Sequence, residues 1–465
     1  MTEQHARSHP PQTARVLNIA DVIDRNGVSR FQAVIVVLCF LIVAIDGFDT
    51  AAIGFIAPAI RAQWQLAPSQ LAPVFGAGLA GLMAGALLFG PFADRLGRKR
   101  LLLICVLGFG VASAASAWAN SLGALIALRF LTGMGLGAAM PNAITLTSEY
   151  CPAARRSFLV TTMFCGFTVG SALGGLVAAA LIEHYGWRAV LLTGGVAPLL
   201  LLPVLGGWLP ESVRYLAATG CPAQQIAAIL RRIAPQEDFT HASFVTSDAS
   251  AAGSPIAGLF LPSLLRGTIL LWLTFFMSLL VIYLLSSWLP TLLRSTGVTL
   301  QTAALVTAMF QVGGTVGAIV LGWLMDRVNP HLVLAASYTL AGLFIAAIGN
   351  LTATPWLAAL AVFGAGFCVS GSQVGANALS AAFYPTDCRA TGVSWANGVG
   401  RSGSVVGSIA GGAMLTAGMT MPALFMTVGV PAVIAGVSML MFGLFRGSQS
   451  HAGPATPLIE RTASR

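Results

Sequence analysis

The sequence has 465 residues, of which 56% are hydrophobic and only 8% are charged, with a formal net charge of +9. Soluble domains carry about 25% charged residues, so this composition excludes a soluble protein and predicts a membrane protein that crosses the bilayer many times. The seven cysteines have no metal-ligand spacing, and most lie in or beside apolar stretches. We therefore expect reduced, structural thiols, no metal site and no cofactor.

The chain begins with a polar tail, residues 1–30, that lacks the short apolar core and cleavage site of a secretory signal. We therefore expect the first spanning helix to direct membrane insertion itself. Twelve apolar segments long enough to cross a bilayer follow the tail. They lie at roughly residues 31–59, 71–93, 101–119, 122–147, 157–183, 187–209, 267–293, 301–325, 331–350, 355–382, 390–416 and 421–445.

The first of these segments contains two acids, Asp46 and Asp49, within an otherwise apolar run. An acid at the centre of a spanning helix costs about 2.5 to 3.5 kcal/mol on insertion scales, so the pair needs a compensating role. The spacing of three residues places both acids on one helix face. They either pair with a basic residue of a neighbouring helix or face a water-filled pathway and exchange protons during transport. We favour the second interpretation.

Basic residues are distributed unevenly between the two sides of the membrane. With the amino terminus inside, nineteen of the 24 Lys and Arg residues fall on one side, and only Arg61, Arg188 and Arg294 fall on the other. This asymmetry predicts that both termini are cytoplasmic. The net positive charge is therefore a topology signal, and a nucleic-acid partner is not needed to explain it.

The chain contains an internal repeat whose two copies lie half a chain apart. Residues 94–100 read Asp-Arg-Leu-Gly-Arg-Lys-Arg, and the Asp-Arg pair recurs at 326–327. Pro58 and Pro290 are separated by the same offset, and Arg155 and Arg389 by nearly the same one. Six helices is an even number, so both copies enter the membrane in the same sense. The predicted fold class is an all-α membrane protein whose twelve transmembrane helices form two pseudo-symmetric six-helix bundles.

The predicted bundles occupy residues 31–209 and 267–445. Between them, residues 210–266 are polar and broken by prolines, which predicts a cytoplasmic linker with a short helix near residues 223–233. The linker is too short for a catalytic domain. The polar tail at 446–465 is also expected in the cytoplasm, and we expect it to be disordered.

Several of these motifs together resemble the major facilitator superfamily of secondary transporters. The resemblance rests on residues 94–100, the partial copy at 326–327 and the glycine-rich segment 129–137, and it covers nearly the whole chain. The second copy keeps only its Asp-Arg pair, so we expect it to make fewer contacts at the cytoplasmic gate. A narrower resemblance, to the aromatic acid:proton symporters and within them to bacterial carriers for 4-hydroxybenzoate and protocatechuate, rests on five segments. They are 46–49 (Asp-Gly-Phe-Asp), 137–142 (Gly-Ala-Ala-Met-Pro-Asn), 148–150 (Ser-Glu-Tyr), 389–395 (Arg-Ala-Thr-Gly-Val-Ser-Trp) and 400–401 (Gly-Arg).

The resemblance implies import of a small aromatic carboxylate together with protons by alternating access, carried out by a monomer in a bacterial cytoplasmic membrane. Residues 210–215 also resemble a segment of sugar porters, but that feature is shared across the superfamily. The alternatives are an efflux antiporter for aromatic compounds and a membrane receptor that binds aromatic acids without moving them. An enzyme is disfavoured because no nucleophile-base or metal spacing occurs.

Charged residues inside the predicted helices are the candidates for proton coupling. At a rise of about 1.5 Å per residue, Asp49 lies about 14 Å, Asp46 about 18 Å and Arg129 about 12 Å from the outer ends of their helices. We therefore expect Arg129 to face Asp46 or Asp49, and to hold that acid ionised until a proton arrives. A permanent structural salt bridge is the alternative. Glu149, near a cytoplasmic helix end, completes the coupling set.

Arg401 is the candidate for binding the substrate carboxylate. It lies about 18 Å into its helix, near the midplane where such carriers bind substrate, and no acid of the carboxy-terminal half lies at its level. A planar guanidinium matches a carboxylate. The alternative is that Arg401 pairs with backbone carbonyls or with Asp46 or Asp49. The candidates for contacting the aromatic ring and its hydroxyls are Phe48, Asn142, Phe164, Tyr283, Gln311, Gln373, Asn377 and Trp395.

The loop motif, which comprises residues 94–100 and the partial copy at 326–327, supplies most of the candidates for a cytoplasmic gate. Asp94 lies at a helix end and can accept hydrogen bonds from helix amides and nearby arginines, which would hold the inside closed. The alternative role of the motif is positive-inside anchoring, which explains the arginines but not Asp94. The predicted gate residues are Gly90, Asp94, Arg95, Gly97, Arg98, Arg155, Asp326, Arg327 and Arg389.

Overall fold

The computed structural model describes residues 15–239, 242–245, 259–352, 354–384 and 389–451. These residues form two short strands and fifteen helices. In chain order they are β1 (Arg15–Asn18), α1 (Ile19–Arg25), α2 (Arg30–Trp64), α3 (Pro68–Leu96), α4 (Arg98–Ser116), α5 (Leu122–Tyr150), α6 (Ala153–Tyr185), α7 (Trp187–Trp208), α8 (Val213–Ala218), α9 (Ala223–Leu230), β2 (Ala242–Val245), α10 (Pro262–Ser295), α11 (Leu300–Met325), α12 (Pro330–Leu351), α13 (Pro355–Phe383), α14 (Arg389–Thr416) and α15 (Met421–His451).

Eleven helices of the described residues are long and apolar enough to cross a membrane. The twelfth predicted span corresponds to α14, which has 28 residues and therefore sufficient length. Its hydropathy is low because it carries Arg401, Asn397 and many glycines and serines. A polar span of this kind is tolerated in a membrane where it faces other helices or a water-filled cavity.

Local sequence signals explain where the long helices begin. Ser121 precedes α5, and its hydroxyl accepts a hydrogen bond from the Ala124 amide at 3.2 Å. Thr299 caps α11 in the same way through the Thr302 amide at 3.2 Å. Gly97 separates α3 from α4 with φ of +91°, a conformation that L side chains rarely adopt. The turns between spans are therefore encoded locally, while packing arranges the helices.

The chain packs as two compact units whose borders pass through four of the long helices. The first unit comprises Met1–Thr50, Ala80–Gly170 and Leu191–Ala251, and the second comprises Ala51–Leu79, Ser171–Val190 and Ala252–Arg465. The division at 31–209 and 267–445 follows the sequence repeat and stays a prediction.

In the first unit, the amino-terminal segment and the linker form a small layer beside the ends of the spans. Strand β1 pairs with β2 in parallel, from Arg15 with Ala242 to Asn18 with Val245. The apolar side chains of α1 are buried in the same cluster as Ile226 and Leu230 of α9. Residues 15–25, which belong to the predicted amino-terminal tail, therefore form regular structure that packs against the linker.

In the second unit, the later part of α2 crosses α10 at close range. A Cβ at Gly54 would overlap the Ser286 carbonyl oxygen, so only glycine permits this approach. The separation of Gly54 and Ser286 in the chain equals that of Pro58 and Pro290, so equivalent positions of the two copies of the repeat meet. Trp288 lies between Ser286 and Pro290 on α10 and is buried, and its indole N–H donates to the Ser408 carbonyl at 2.7 Å.

Candidate functional site

A buried ion pair connects α2 with α5 in the first unit. The Nη2 atom of Arg129 lies 2.7 Å from Oδ2 of Asp49, and Nη1 donates to Oδ1 at 3.2 Å. Nη2 also donates to the Asp49 backbone carbonyl at 3.2 Å. The side chains are only 3% and 1% exposed. The structure thus brings Arg129 to Asp49, which is one of the two partners expected from helix depth.

A serine on α4 completes the environment of Asp49. The Ser113 hydroxyl donates to Asp49 Oδ1 at 2.5 Å, so this oxygen accepts from both the serine and the guanidinium. Gly194 of α7 leaves room for the site, because a Cβ there would lie 3.1 Å from the Phe48 ring and 3.6 Å from Asp49 Oδ1. The carboxylate therefore has a fully built set of donors inside the helix bundle.

Asp46 lies on the same helix, about one turn before Asp49. It is 2% exposed, and its Oδ1 accepts a hydrogen bond from the Thr50 hydroxyl at 3.1 Å. A second buried carboxylate therefore lies one helical turn from the carboxylate that Arg129 binds. A buried charge that loses its partner is strongly destabilised, so Arg129 depends on a carboxylate at this place in the first unit.

The structure places Glu149 in a different part of the first unit. Glu149 follows Arg129 by 20 residues on the same helix, which corresponds to about 30 Å. It is 7% exposed, accepts a hydrogen bond from the Ser212 hydroxyl, and lies 3.7 Å from the Arg98 Nε atom. Its neighbours are therefore residues of the loop motif and the linker, while its predicted part in proton coupling stays a prediction.

The beginning of the linker is held against the loop between α3 and α4. The Glu211 carboxylate accepts from the Lys99 amide at 3.0 Å, and the Tyr150 hydroxyl donates to the Glu211 carbonyl at 2.5 Å. The Tyr215 hydroxyl donates to the Arg95 carbonyl at 3.0 Å. A side chain at Gly97 would collide with Glu211. The loop motif, the end of α5 and the start of the linker thus form one cluster.

The remaining predicted gate residues divide into two groups. The packing of Gly90 and the side chains of Asp94 and Arg389 lie outside the part of the chain that the structure describes. Arg155 and Asp326 are exposed, and the Arg327 guanidinium lies over the Trp323 ring at 4.0 Å from its centroid. The partial second copy of the motif is therefore accessible at the end of α11.

In the second unit, Arg401 of α14 contacts Tyr283 of α10. The Arg401 Nη1 atom donates to the Tyr283 hydroxyl at 3.0 Å, and Tyr283 is 7% exposed. The guanidinium is itself only partly buried. The phenol therefore orients one edge of a guanidinium that solvent or a ligand can still reach.

Amide side chains on α13 and α14 extend this polar region. Asn397 precedes Arg401 by one helical turn on the same face, and its Nδ2 donates to Asn377 Oδ1 at 3.3 Å. Gln373 lies one turn before Asn377 and is 8% exposed, and both its amide atoms lack hydrogen-bond partners within the described chain. Leaving such a buried amide unpaired costs about 1 to 3 kcal/mol, so a ligand that pairs with it is favoured. Gln311 of α11 donates to the Ser286 hydroxyl at 3.3 Å.

The other predicted contact residues have individual settings. Phe164 stacks on Phe167 at 6.5 Å between centroids. Asn142 is buried, and its amide donates to the Ala138 carbonyl of its own helix at 2.7 Å. Trp395 is 42% exposed and stacks on Trp272. It lies about 120° around α14 from Arg401, so the two side chains occupy different faces of the helix.

Sequence reasoning missed two hydroxyls that hold the buried acids. Ser113 binds Asp49, and Ser212 binds Glu149. A serine in an apolar helix has no distinguishing pattern, because it usually bonds its own helix backbone. Within the described residues no group of His, Cys, Asp or Glu side chains could hold a metal ion.

Comparisons with known proteins extend these observations. A family model described as Major Facilitator Superfamily matches residues 39–291 and 271–464. A gallate transporter of Pseudomonas putida is 49% identical over 93% of this chain and 96% of its own length. The 4-hydroxybenzoate transporter PcaK of the same organism is 47% identical over 92% of this chain and 96% of its own. The inward-open structure of the xylose transporter XylE from E. coli matches with a TM-score of 0.70 at 19% identity, covering 88% of this chain and 96% of that one. The predicted family and the all-α fold are confirmed.

Proposed function

Because the chain belongs to the Major Facilitator Superfamily, we propose that it imports small aromatic carboxylates together with protons. It is a multi-pass membrane transporter and not an enzyme, so the prediction against an enzyme is confirmed. The observation that carries the proton part of the proposal is the buried Asp49–Arg129 pair with a second buried acid, Asp46, on the same helix. The relatives named for gallate and 4-hydroxybenzoate support the aromatic carboxylate part.

The proton binds at the acids of α2 in this proposal. When Asp49 is ionised, the pair with Arg129 has no net charge and is held by three hydrogen bonds. A proton on Asp49 removes the attraction and leaves the guanidinium without its counter-charge in a low-dielectric site. Arg129 then turns to another acceptor, and Asp46 is the next carboxylate along the same face. This change of partner is the step that connects proton uptake with movement of α5.

The substrate carboxylate binds at Arg401. The Tyr283 hydroxyl accepts a hydrogen bond from the guanidinium, and the planar shape of a guanidinium matches that of a carboxylate. Ring hydroxyls bind to amides, and Gln373 is the best placed because neither of its amide atoms has a partner in the described chain. Contacts of this type are worth about 1 to 3 kcal/mol each, enough to separate 4-hydroxybenzoate, protocatechuate and gallate.

The energetics of import depend on the number of protons. A monoanion that moves with one proton carries no net charge, so only the pH gradient drives it. Each further proton adds about 2.3 kcal/mol per 100 mV of membrane potential, which is roughly fifty-fold in accumulation. The transporter resides in the bacterial cytoplasmic membrane with both termini inside, and the cluster of Glu149, Arg98 and the linker closes its cytoplasmic side during alternating access.

Uptake by cells tests the proposal. Cells that express the chain receive labelled 4-hydroxybenzoate, protocatechuate or gallate, with and without a protonophore, beside Asp49→Asn and Arg401→Ala. We expect accumulation that the protonophore abolishes and that both variants lose. Ser402→Ala serves as a matched control on α14, because the Ser402 hydroxyl donates to the Val399 carbonyl of its own helix. Resistance to these compounds without uptake would contradict import and indicate efflux.

A further inference from the structure

A cavity opens where the later ends of α2 and α10 lie together in the second unit. Its volume is about 430 Å³, and its walls come from residues 58–66 of α2 and the loop after it, and from residues 291–295 of α10. This volume lies within the range of about 300 to 1,000 Å³ typical of small-molecule sites. By the topology proposed above, the cavity faces the outside of the cell and is distinct from the Arg401 region.

Two arginines, Arg61 and Arg294, line this cavity. The Arg61 Nε donates to the Leu66 carbonyl at 3.2 Å, and the Arg294 Nη1 donates to the Val298 carbonyl at 2.8 Å. Each contact fixes one edge of a guanidinium and leaves other N–H groups available. Among the described residues neither arginine has a carboxylate within ion-pair distance. Two like charges thus converge on one cavity, which favours an anion between them.

Further lining residues point to a ligand. The Thr291 side chain is 2% exposed, and its hydroxyl has no hydrogen-bond partner within the described chain. A buried hydroxyl left unpaired is costly, so a partner entering the cavity is favoured. Pro58 and Leu66 supply apolar surface beside the charges.

The two arginines also occupy nearly equivalent positions in the two copies of the internal repeat. Arg61 and Arg294 are separated in the chain by the repeat offset to within one position. By the charge count, these two arginines and Arg188 are the basic residues assigned to the outer side of the membrane. Arg188 lies over the ring of Trp187 at 4.5 Å from the centroid and is not one of the residues that line the cavity. Positive residues are disfavoured on the outer side, so their gathering at one place needs a reason.

We propose that this cavity is a peripheral binding site for small aromatic carboxylates. The carboxylate lies between Arg61 and Arg294, the Thr291 hydroxyl donates to it, and the ring packs on Pro58 and Leu66. The site raises the local concentration of anionic substrate at the outer mouth and so lowers KM. The ligand class and the outward orientation rest on the proposed function, while the electrostatic part rests on the cavity alone.

A cysteine at the cavity wall tests the site without requiring transport. Ala62 is exposed and lines the cavity, so Ala62→Cys is treated on intact cells with an anionic or a cationic methanethiosulfonate that cannot cross the membrane. Two positive charges in the same wall, screened at physiological salt, should make the anionic reagent react about tenfold faster than the cationic one. The unsubstituted chain, whose described cysteines are buried or half-buried, gives the background.

Arginine variants in the Ala62→Cys background decide the assignment. Arg61→Gln with Arg294→Gln should abolish the tenfold preference, whereas Arg188→Gln, a single charge removed outside the cavity wall, should retain it. Benzoate and 4-hydroxybenzoate should slow modification, and benzamide, which has no charge, should not. An unchanged preference in the double variant, or equal protection by benzamide, would overturn the proposal. A preference without protection by either carboxylate would also overturn it, because the arginines would then be only a charged rim.

Uptake measurements separate this proposal from the proposed function. The double arginine variant should raise KM for 4-hydroxybenzoate several-fold with kcat nearly retained, and retention of kcat also shows that the variant folds. Unchanged KM would contradict a role in recruitment. If the unsubstituted chain transports no aromatic acid but carboxylates still protect Ala62→Cys, the proposed function fails and the peripheral site stands. If the chain transports aromatic acids but carboxylates do not protect Ala62→Cys, the proposed function stands and the peripheral site fails.

Discussion

Charge removal at the Asp49–Arg129 pair has a predictable cost. The pair is nearly inaccessible, at 1% and 3% exposure, and three hydrogen bonds join its members. Removing one member of a buried pair leaves an uncompensated charge and costs about 3 to 5 kcal/mol. We therefore expect Asp49→Asn or Arg129→Gln alone to lower the stability of the purified protein strongly. The combined variant leaves two neutral amides and should recover much of the loss.

The assay measures the fraction of detergent-purified transporter that remains monodisperse after heating. Ser113→Ala is the matched control, because it removes one hydrogen bond to Asp49 Oδ1 and keeps both charges, for a loss of about 1 to 3 kcal/mol. The order of stability should be wild type, Ser113→Ala, the combined variant and then the single charge variants. Single variants as stable as the wild type would refute a buried, mutually dependent pair.

The same variants separate coupling from a purely structural salt bridge. The combined variant keeps its fold but has no ionisable group at position 49, so it should exchange labelled substrate across the membrane without accumulating it against a gradient. Proton-driven accumulation by the combined variant would show that the pair is structural only, and that the proton binds elsewhere.

Three further predictions concern the second unit and the cytoplasmic cluster. Tyr283→Phe removes the hydroxyl that orients Arg401. Initial uptake rates should show KM for aromatic carboxylates raised about threefold to tenfold, with a smaller change in kcat. An equal loss in kcat with unchanged KM would contradict a role in substrate binding. Gln373→Leu replaces a buried amide that has no partner in the described chain, so the stability of the protein should hold or rise. Competition assays should show that the affinity for gallate falls at least fivefold relative to that for benzoate. Parallel losses of affinity for both acids would refute a contact with ring hydroxyls. Ser212→Ala removes the hydroxyl bound to Glu149. Cysteines introduced beside Glu211 should then react faster with a thiol reagent added on the cytoplasmic side. Unchanged reactivity would exclude this hydrogen bond as part of the closed gate.

The spans were predictable from sequence because bilayer thickness fixes the length of a spanning helix, and the ion pair was predictable because depth follows from the rise per residue. Hydropathy locates the spans, and the rise per residue places Arg129 at the depth of the two acids. Depth alone does not choose between Asp46 and Asp49, which differ by about 60° around α2. Helix rotation depends on close packing, such as that between Gly194 and the Phe48 ring, and so needs the structure.

Other features escaped the sequence because their partners are far apart in the chain or have no pattern. Strand β1 is four residues long, and its partner β2 begins at Ala242. Such a short strand has no signal without the distant edge that it pairs with. The peripheral arginines were visible as a charge count, but their convergence follows only from the crossing of α2 and α10 at Gly54 and Ser286.

Proton-coupled import of aromatic carboxylates is tested most directly with purified protein in proton-tight vesicles. Labelled 4-hydroxybenzoate, protocatechuate and gallate are supplied outside, with an imposed gradient that makes the interior alkaline. We predict accumulation of at least one of them above its external concentration, which collapses when a protonophore is added and is absent in the combined Asp49→Asn and Arg129→Gln variant. Equilibration without accumulation under the same gradient would contradict proton coupling, and no entry of any of the three acids would contradict the proposed function.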